Sequence, residues 1–207
     1  MKKRCLSILL SLVLLFGLLP VPAAAATWDG GGRGTETDPY KIQTKEQLIA
    51  SMKDGGEKYY VLENNLTFVP EDFAEDGLCY GKEYMIGEKD GYWASADGNL
   101  NGNGHTIYGL EIPLVCTLNN SRDNSVISNL NLADVRINNG AALVSSNLGT
   151  ISNCSVTGTW VMNAENGSVG GYLVETNSGT ITGCRNTATT QITLRKSETS
   201  GNTGFTY

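Results

Sequence analysis

An interval of thirty residues constrains this chain more than any other feature. Residues 140 to 154 read GAALVSSNLGTISNC, and residues 170 to 184 read GGYLVETNSGTITGC. Gly140/Gly170, Leu143/Leu173, Val144/Val174, Asn147/Asn177, Gly149/Gly179, Thr150/Thr180, Ile151/Ile181 and Cys154/Cys184 are identical at that offset. Ordinary amino-acid usage would give roughly one match over such a window. Self-similarity at a period of this size belongs to stacked architectures, in which each repeat buries its apolar face only against its neighbours.

Four shorter segments share the inner part of the pattern: HTIYGLEI (105–112), VISNLNLA (126–133), TISNCSVT (150–157) and TITGCRNT (180–187). Each carries Ile, one residue, Asn or Gly, then Leu or Cys. The isoleucines are Ile107, Ile127, Ile151 and Ile181, so the spacings are 20, 24 and 30. A constant motif at variable spacing describes equal rungs joined by unequal loops. Apolar residues alternate within each segment, with a bend expected at the Asn or Gly. Asn, Gly, Ser and Thr dominate residues 96–207 and disfavour helix interiors. The β-branched residues supply strands too short to be stable alone.

Coiling the chain stacks each strand on its equivalent about 4.8 Å away and pairs its backbone groups. The expected fold is therefore all-β, a parallel β-helix. Ile107, Ile127, Ile151 and Ile181 are expected in one inward column, and Leu110, Leu130, Cys154 and Cys184 in the next. A second strand per turn is expected around Ala142–Val144 and Tyr172–Val174, with Leu114-Val115 one turn earlier. Asn147 and Asn177 are expected to form a stacked ladder inside a turn, in a stabilising role. The competing architecture is a flat antiparallel sandwich, which needs turn signals every 8 to 12 residues but no repeat at thirty.

The first 26 residues read as a secretory signal: a Lys2-Lys3-Arg4 head, an apolar run from Leu6 to Leu19, and Ala24-Ala25-Ala26 as the cleavage site. An uncleaved anchor is the alternative. Without this segment the chain keeps 12 basic and 21 acidic residues, a net charge of −9. An acidic exported chain is a poor partner for nucleic acid or anionic membrane. No second apolar stretch is long enough to span a bilayer, so the expected location is secreted or cell-surface.

Export permits disulfides among Cys79, Cys116, Cys154 and Cys184. A position that accepts Leu in one rung and Cys in another is an apolar one, which favours stacked thiols for Cys154 and Cys184. A disulfide is the alternative. No C-x-x-C pair is present to suggest zinc.

Residues 27–95 differ in pattern from the repeats. Thr44-Lys45-Glu46-Gln47 fits a capping box. Leu48, Ile49 and Met52 then give one apolar face of a short helix ending near Gly55-Gly56. Tyr59–Leu62 and Leu66–Phe68 read as strands. A helix here would cover the open end of the stack, so residues 27–95 are assigned to a cap with the first strands and 96–207 to the rungs. Adding thirty to Gly171 reaches Gly201, where the next rung would begin, so the chain is expected to be the front of a longer protein, or an early stop in one.

Catalytic signals are sparse. His105 is the sole histidine, in a turn, without a nucleophile motif to serve. Glu111, Asp134, Arg136, Glu175 and Arg185 supply charge, but no acid recurs from rung to rung as paired-carboxylate chemistry on a repeated face would suggest. Asp97–Asn103 contains oxygen donors for calcium, yet its glycines and asparagines suit tight turns equally well. No catalytic residue, cofactor or metal is assigned. Trp160, placed in the loop between rungs, is the candidate for contact with a sugar ring; Trp28 and Trp93 fall in the cap.

Trp28-Asp29-Gly30…Gly34-Thr35-Glu36-Thr37-Asp38-Pro39-Tyr40-Lys41-Ile42 resembles the W-x-G-x-G-T-x-x-x-P-Y-x-I opening of exported bacterial β-helix proteins. Leu100-Asn101-Gly102-Asn103-Gly104-His105-Thr106-Ile107 is similar to their L-D-G-N-G-H-T-I segment, with Asn101 for Asp. The stretches around Gly140–Val144 and Gly170–Val174 resemble the GLUG repeat, G-G-L-V-G followed by N-x-G-x-I-x-N-C, from which Tyr172 departs. The resemblance spans most of residues 28–188. It implies a right-handed β-helix in bacterial surface proteins, adhesin-like, sometimes beside a peptidase domain, and it transfers no catalytic residue. The expected function is a non-catalytic scaffold holding loops 118–125 and 158–169 toward an extracellular glycan or a host or bacterial surface protein. A polysaccharide lyase or glycoside hydrolase on the same fold is the rival, and a non-catalytic flank of a surface peptidase is the third possibility.

Overall fold

The computed structural model describes residues 28–52, 58–86, 95–119, 125–137, 140–163 and 173–193. For 160–163 and 190–193 only the backbone is described. Among the described residues, sixteen strands and two short helices succeed one another. The strands are β1 (Tyr40–Ile42), β2 (Tyr59–Leu62), β3 (Leu66–Thr67), β4 (Ser95–Ala96), β5 (Asn99–Asn101), β6 (Thr106–Tyr108), β7 (Val115–Leu118) and β8 (Val126–Ser128). They continue as β9 (Asn131–Ile137), β10 (Val144–Asn147), β11 (Thr150–Ser152), β12 (Ser155–Asn163), β13 (Val174–Asn177), β14 (Thr180–Thr182), β15 (Arg185–Asn186) and β16 (Thr189–Thr193). The helices are α1 (Lys45–Ala50) and α2 (Pro70–Phe73).

Every pairing between named strands is parallel, and the strands form three sheets. The first runs β1-β2-β5-β8-β11-β14, the second β15-β12-β9-β6-β3, and the third β13-β10-β7-β4, with β16 also on β12. The chain visits the three sheets in turn and then returns to the first one strand further on, which is the path of a parallel β-helix. A single apolar core runs from Ile42 to Val156.

Alternation dictates which side chains enter it. In β11, Ile151 is fully buried while Thr150 and Ser152 are half-buried on the outer face. Ile127, Ile151 and Ile181 stand in register, as the motif predicts. Ile107 does not join them. Leu100 pairs with Ile127, whereas Ile107 stacks between Leu66 and Leu132 in the second sheet. The reason is turn length. Six positions separate Asn101 from Ile107, against four between their partners Ser128 and Leu132. The Asn103-Gly104 turn holds two extra residues, so I-x-x-L at 107–110 matches I-x-x-L at 127–130 in letters and not in space.

Leu110 moves with it. It is buried, but its carbonyl accepts from Arg136 N, within β9 of the second sheet. The position stacked on Leu130 in that coil is Gly102, where a Cβ would lie 2.5 Å from Leu130 Cα. Leu130, Cys154 and Cys184 remain neighbours: Ser155 N donates to Leu130 O and Arg185 N to Cys154 O.

The bend between first and second sheets falls where the sequence places it. Asn129 and Asn153 have φ of 52° and 53°, and Gly183 has 63°. Asn tolerates this left-handed region better than most side-chain-bearing residues, and Gly adopts it freely. The strands expected at Ala142–Val144 and Tyr172–Val174 start at the last residue of each, Val144 and Val174, and Val115 pairs with Val144.

Helix α1 is capped as its sequence predicts. Gln47 N donates to Thr44 Oγ1 and Gln47 Oε1 accepts from Thr44 N at 3.2 Å. It stops at Ala50, earlier than Gly55, because Ser51 is extended and Met52 has φ 57°. It follows β1 in the place where β3 follows β2 and lays Leu48, Ile49 and Met52 on the core. Lys45 Nζ reaches Asp72 of α2 at 2.6 Å and sits 5.3 Å from the Phe68 ring centre. Stacking already begins at Tyr40, so residues before 95 form coils of the helix as well as its cover.

Candidate functional site

The two asparagines of the repeat are stacked. Asn147, fully buried, donates through Nδ2 to Asn177 Oδ1 at 2.7 Å, and its Oδ1 accepts from Gly149 N at 3.1 Å. The pair turns the chain from third sheet to first. A second asparagine ladder lies exposed at the next corner: Asn129 Nδ2 donates to Asn101 Oδ1 at 3.1 Å and Asn153 Nδ2 to Asn129 Oδ1 at 3.4 Å. Its signal in the sequence was the Asn before Leu130 and before Cys154; Asn101, followed by Gly102, carried none.

Cys79, Cys116, Cys154 and Cys184 are free thiols. Cys154 N donates to Cys184 Sγ at 3.4 Å. Burial pushes the Cys154 thiol up to about 12 and that of Cys79 to about 11, the opposite of what a nucleophilic cysteine requires.

His105 Nδ1 lies 3.3 Å from Asn65 Oδ1, which also accepts from Thr106 N at 2.9 Å, so the histidine braces a turn. Trp28 packs on Tyr40 and Tyr60 with ring centres 5.3 and 5.5 Å away and donates to Lys41 O. Trp93 lies outside the described residues. Trp160 lies within β12 and not in a loop, its backbone paired with Ile137 and Thr190; its side chain is outside the described residues, as are loop residues 120–124 and 164–172. Glu111, Asp134 and Arg185 fall on three different coils, and among the described residues no hydrogen bond or ion pair joins them. Among the described residues no group of three His, Cys, Asp or Glu is placed to hold a metal, and no helix is long and apolar enough to cross a membrane.

One concave feature among the described residues was not legible beforehand. It is a groove of about 320 Å³ on the outer face of the first sheet, rimmed by Glu36 and Pro39 of the opening turn. Because Tyr60, Leu100 and Ile127 point into the core, Tyr59 and Val61 of β2, Asn99 and Asn101 of β5, and Val126 and Ser128 of β8 face outward into it. Among the described residues the side chains of Glu36, Asn99 and Ser128 have no hydrogen-bond or ion-pair partner. Asn101 Oδ1 is already committed to Asn103 N and Asn129 Nδ2. Lys41, next in the outward column above Val61, is held on Glu63 at 3.0 Å. Glu63 is held below the usual carboxylate range, chiefly by the Gln43 hydrogen bond and then by Lys41.

No family model and no curated protein matches the chain. Among solved structures it is similar to a Bacteroides ovatus chain, determined at 1.30 Å and proposed to be an immunoglobulin A1 protease. The TM-score is 0.54 and the identity 17%, over 76% of this chain and 49% of that one. At that identity the likeness carries the fold alone. The chain spans about half the length of the structure it matches.

Proposed function

We propose that this chain is an exported, non-catalytic β-helix scaffold, adhesin-like in role, that presents its outer surface to an extracellular glycan or a surface protein. The observation that carries the reading is the groove on the first sheet. Among the described residues it gathers three polar side chains, of Glu36, Asn99 and Ser128, that make no hydrogen bond or ion pair, while the buried motif residues are committed to columns, corners and ladders. The raised thiols of Cys79 and Cys154 and the dispersal of Glu111, Asp134 and Arg185 over three coils support a binding role over a catalytic one. The apolar leader and the acidic balance support export. The GLUG-like segments support a surface location by resemblance.

The test is incubation of the purified full chain with pectin, alginate and host glycans. Retention on at least one of them, without release of new reducing ends or unsaturated uronates from any, is expected; release of either would make it a lyase or hydrolase and end the scaffold reading.

A second reading has one specific observation behind it. The solved structure that shares the fold is proposed to be a protease and is about twice as long as the matched region. This chain would then be the non-catalytic flank of a longer surface peptidase. A peptidase domain encoded in the same reading frame would establish that; a complete frame without one would exclude it.

A further inference from the structure

We propose that the groove on the first sheet takes an uncharged, hydroxyl-rich glycan chain lying along the axis of the β-helix, across β2, β5 and β8. The inference rests on the display reading above and names its ligand.

Three observations select this class. First, β2, β5 and β8 are interior strands, each paired on both sides. Their backbone groups are satisfied, so an extended peptide has no edge to add to, and recognition falls to side chains. Second, the uncommitted side chains suit hydroxyl groups. The Glu36 carboxylate accepts, the Asn99 amide donates and accepts, and so does the Ser128 hydroxyl. Val61, Val126 and the Tyr59 ring offer apolar surface for the C–H faces of a sugar. Third, charge excludes polyanions. Among the described residues no Lys or Arg lines the groove, Lys41 beside it is held on Glu63, and the whole chain carries a net charge of −6. A uronate polymer would meet Glu36 in an acidic field. Successive outward residues recur at about 4.8 Å per coil, so a linear polymer along the axis meets a fresh set of side chains at each strand.

The experiment measures affinity of the full chain for soluble neutral polysaccharides (β-glucan, xylan, mannan) and for polygalacturonate and alginate. Variants are Glu36→Ala, Asn99→Ala, Ser128→Ala and, as a control on the same outward column two strands past Ser128, Thr182→Ala. Circular dichroism checks that each is folded. At least one neutral polymer should bind. Asn99→Ala and Ser128→Ala should weaken it about two- to tenfold, Glu36→Ala tenfold or more, and Thr182→Ala not at all. Tighter binding of the polyanions, or neutral binding unchanged in all three groove variants, overturns the ligand class or its site and leaves the display reading intact. Binding of protein partners alone also overturns the glycan and keeps display. Cleavage of a bound polymer overturns the display reading itself.

Discussion

Asn147 and Asn177 are thirty residues apart in sequence and 2.7 Å apart in space, Nδ2 to Oδ1, and only the first is sealed from water. Asn147 also accepts from Gly149 N, so it closes its own turn and ties that turn to the next coil. Replacing it with Ala would leave the Gly149 N–H buried without a partner. Asn147→Ala should cost about 2–3 kcal/mol, and Asn177→Ala, on an exposed residue, under about 1 kcal/mol. Urea unfolding of both variants checks the ordering, and equal losses would mean that the ladder is not the source.

Cys154 should be chemically quiet at neutral pH. Its buried thiol ionises near pH 12, whereas the unfolded thiol ionises near 9. Native protein should therefore resist iodoacetamide at Cys154 at pH 8 while denatured protein reacts. The same shift has a stability consequence. Below pH 9 both states hold the proton and stability is flat. Between 9 and 12 the unfolded chain binds fewer protons than the folded one, so stability falls as pH rises, by at most about 1.4 kcal/mol per pH unit. Comparing wild type with Cys154→Ala isolates this slope from other titrations. Parallel pH profiles for the two would show that the thiol is not shifted.

The columns below Ile127 were readable because three segments, at 126–133, 150–157 and 180–187, share both pattern and turn length. Where turn length changes, letters mislead. Ile107 and Leu110 satisfy the motif but sit in another sheet, since two extra residues at the Asn103-Gly104 turn carry Leu100 into the isoleucine column instead. The groove was illegible for a related reason. Tyr60 and Leu100 pair across forty residues with no shared motif, so nothing in the sequence aligns Tyr59 with Asn99 or brings Glu36 to their rim. Trp160 was misplaced because β12 runs through Asn163, well past the expected end of its strand.

Ile151 and Ile181 are partners in the same column, yet Ile151 is fully buried and Ile181 is 38% exposed. Burial, and not identity within the motif, sets what each contributes. Ile151→Ala should cost about 3–4 kcal/mol and Ile181→Ala about 1 kcal/mol. Thermal unfolding of the two variants checks this. A larger loss at Ile181 would mean that the lower coil is covered and packed as tightly as the middle one.

Gly149 and Gly179 are identical in the repeat for a steric reason that a single substitution can expose. A Cβ on Gly149 would lie 2.2 Å from Ser125 O, and one on Gly179 would lie 2.1 Å from Gly149 O. Both obstacles are backbone carbonyls of the preceding coil, which cannot swing aside as a side chain can. Those coils also carry the hydrogen bonds from Thr150 N to Ser125 O and from Thr180 N to Gly149 O, both 2.9 Å. Making room for a methyl group therefore stretches the ladder itself. Gly149→Ala, in the buried middle of the stack, should cost about 3 kcal/mol, at the upper end for overpacking. It should also raise amide exchange at Thr150 and Thr180 together, because both donate across the two displaced coils. Gly179→Ala should raise exchange at Thr180 alone. Exchange rising at neither threonine in either variant would mean that the coils do not approach as closely as this.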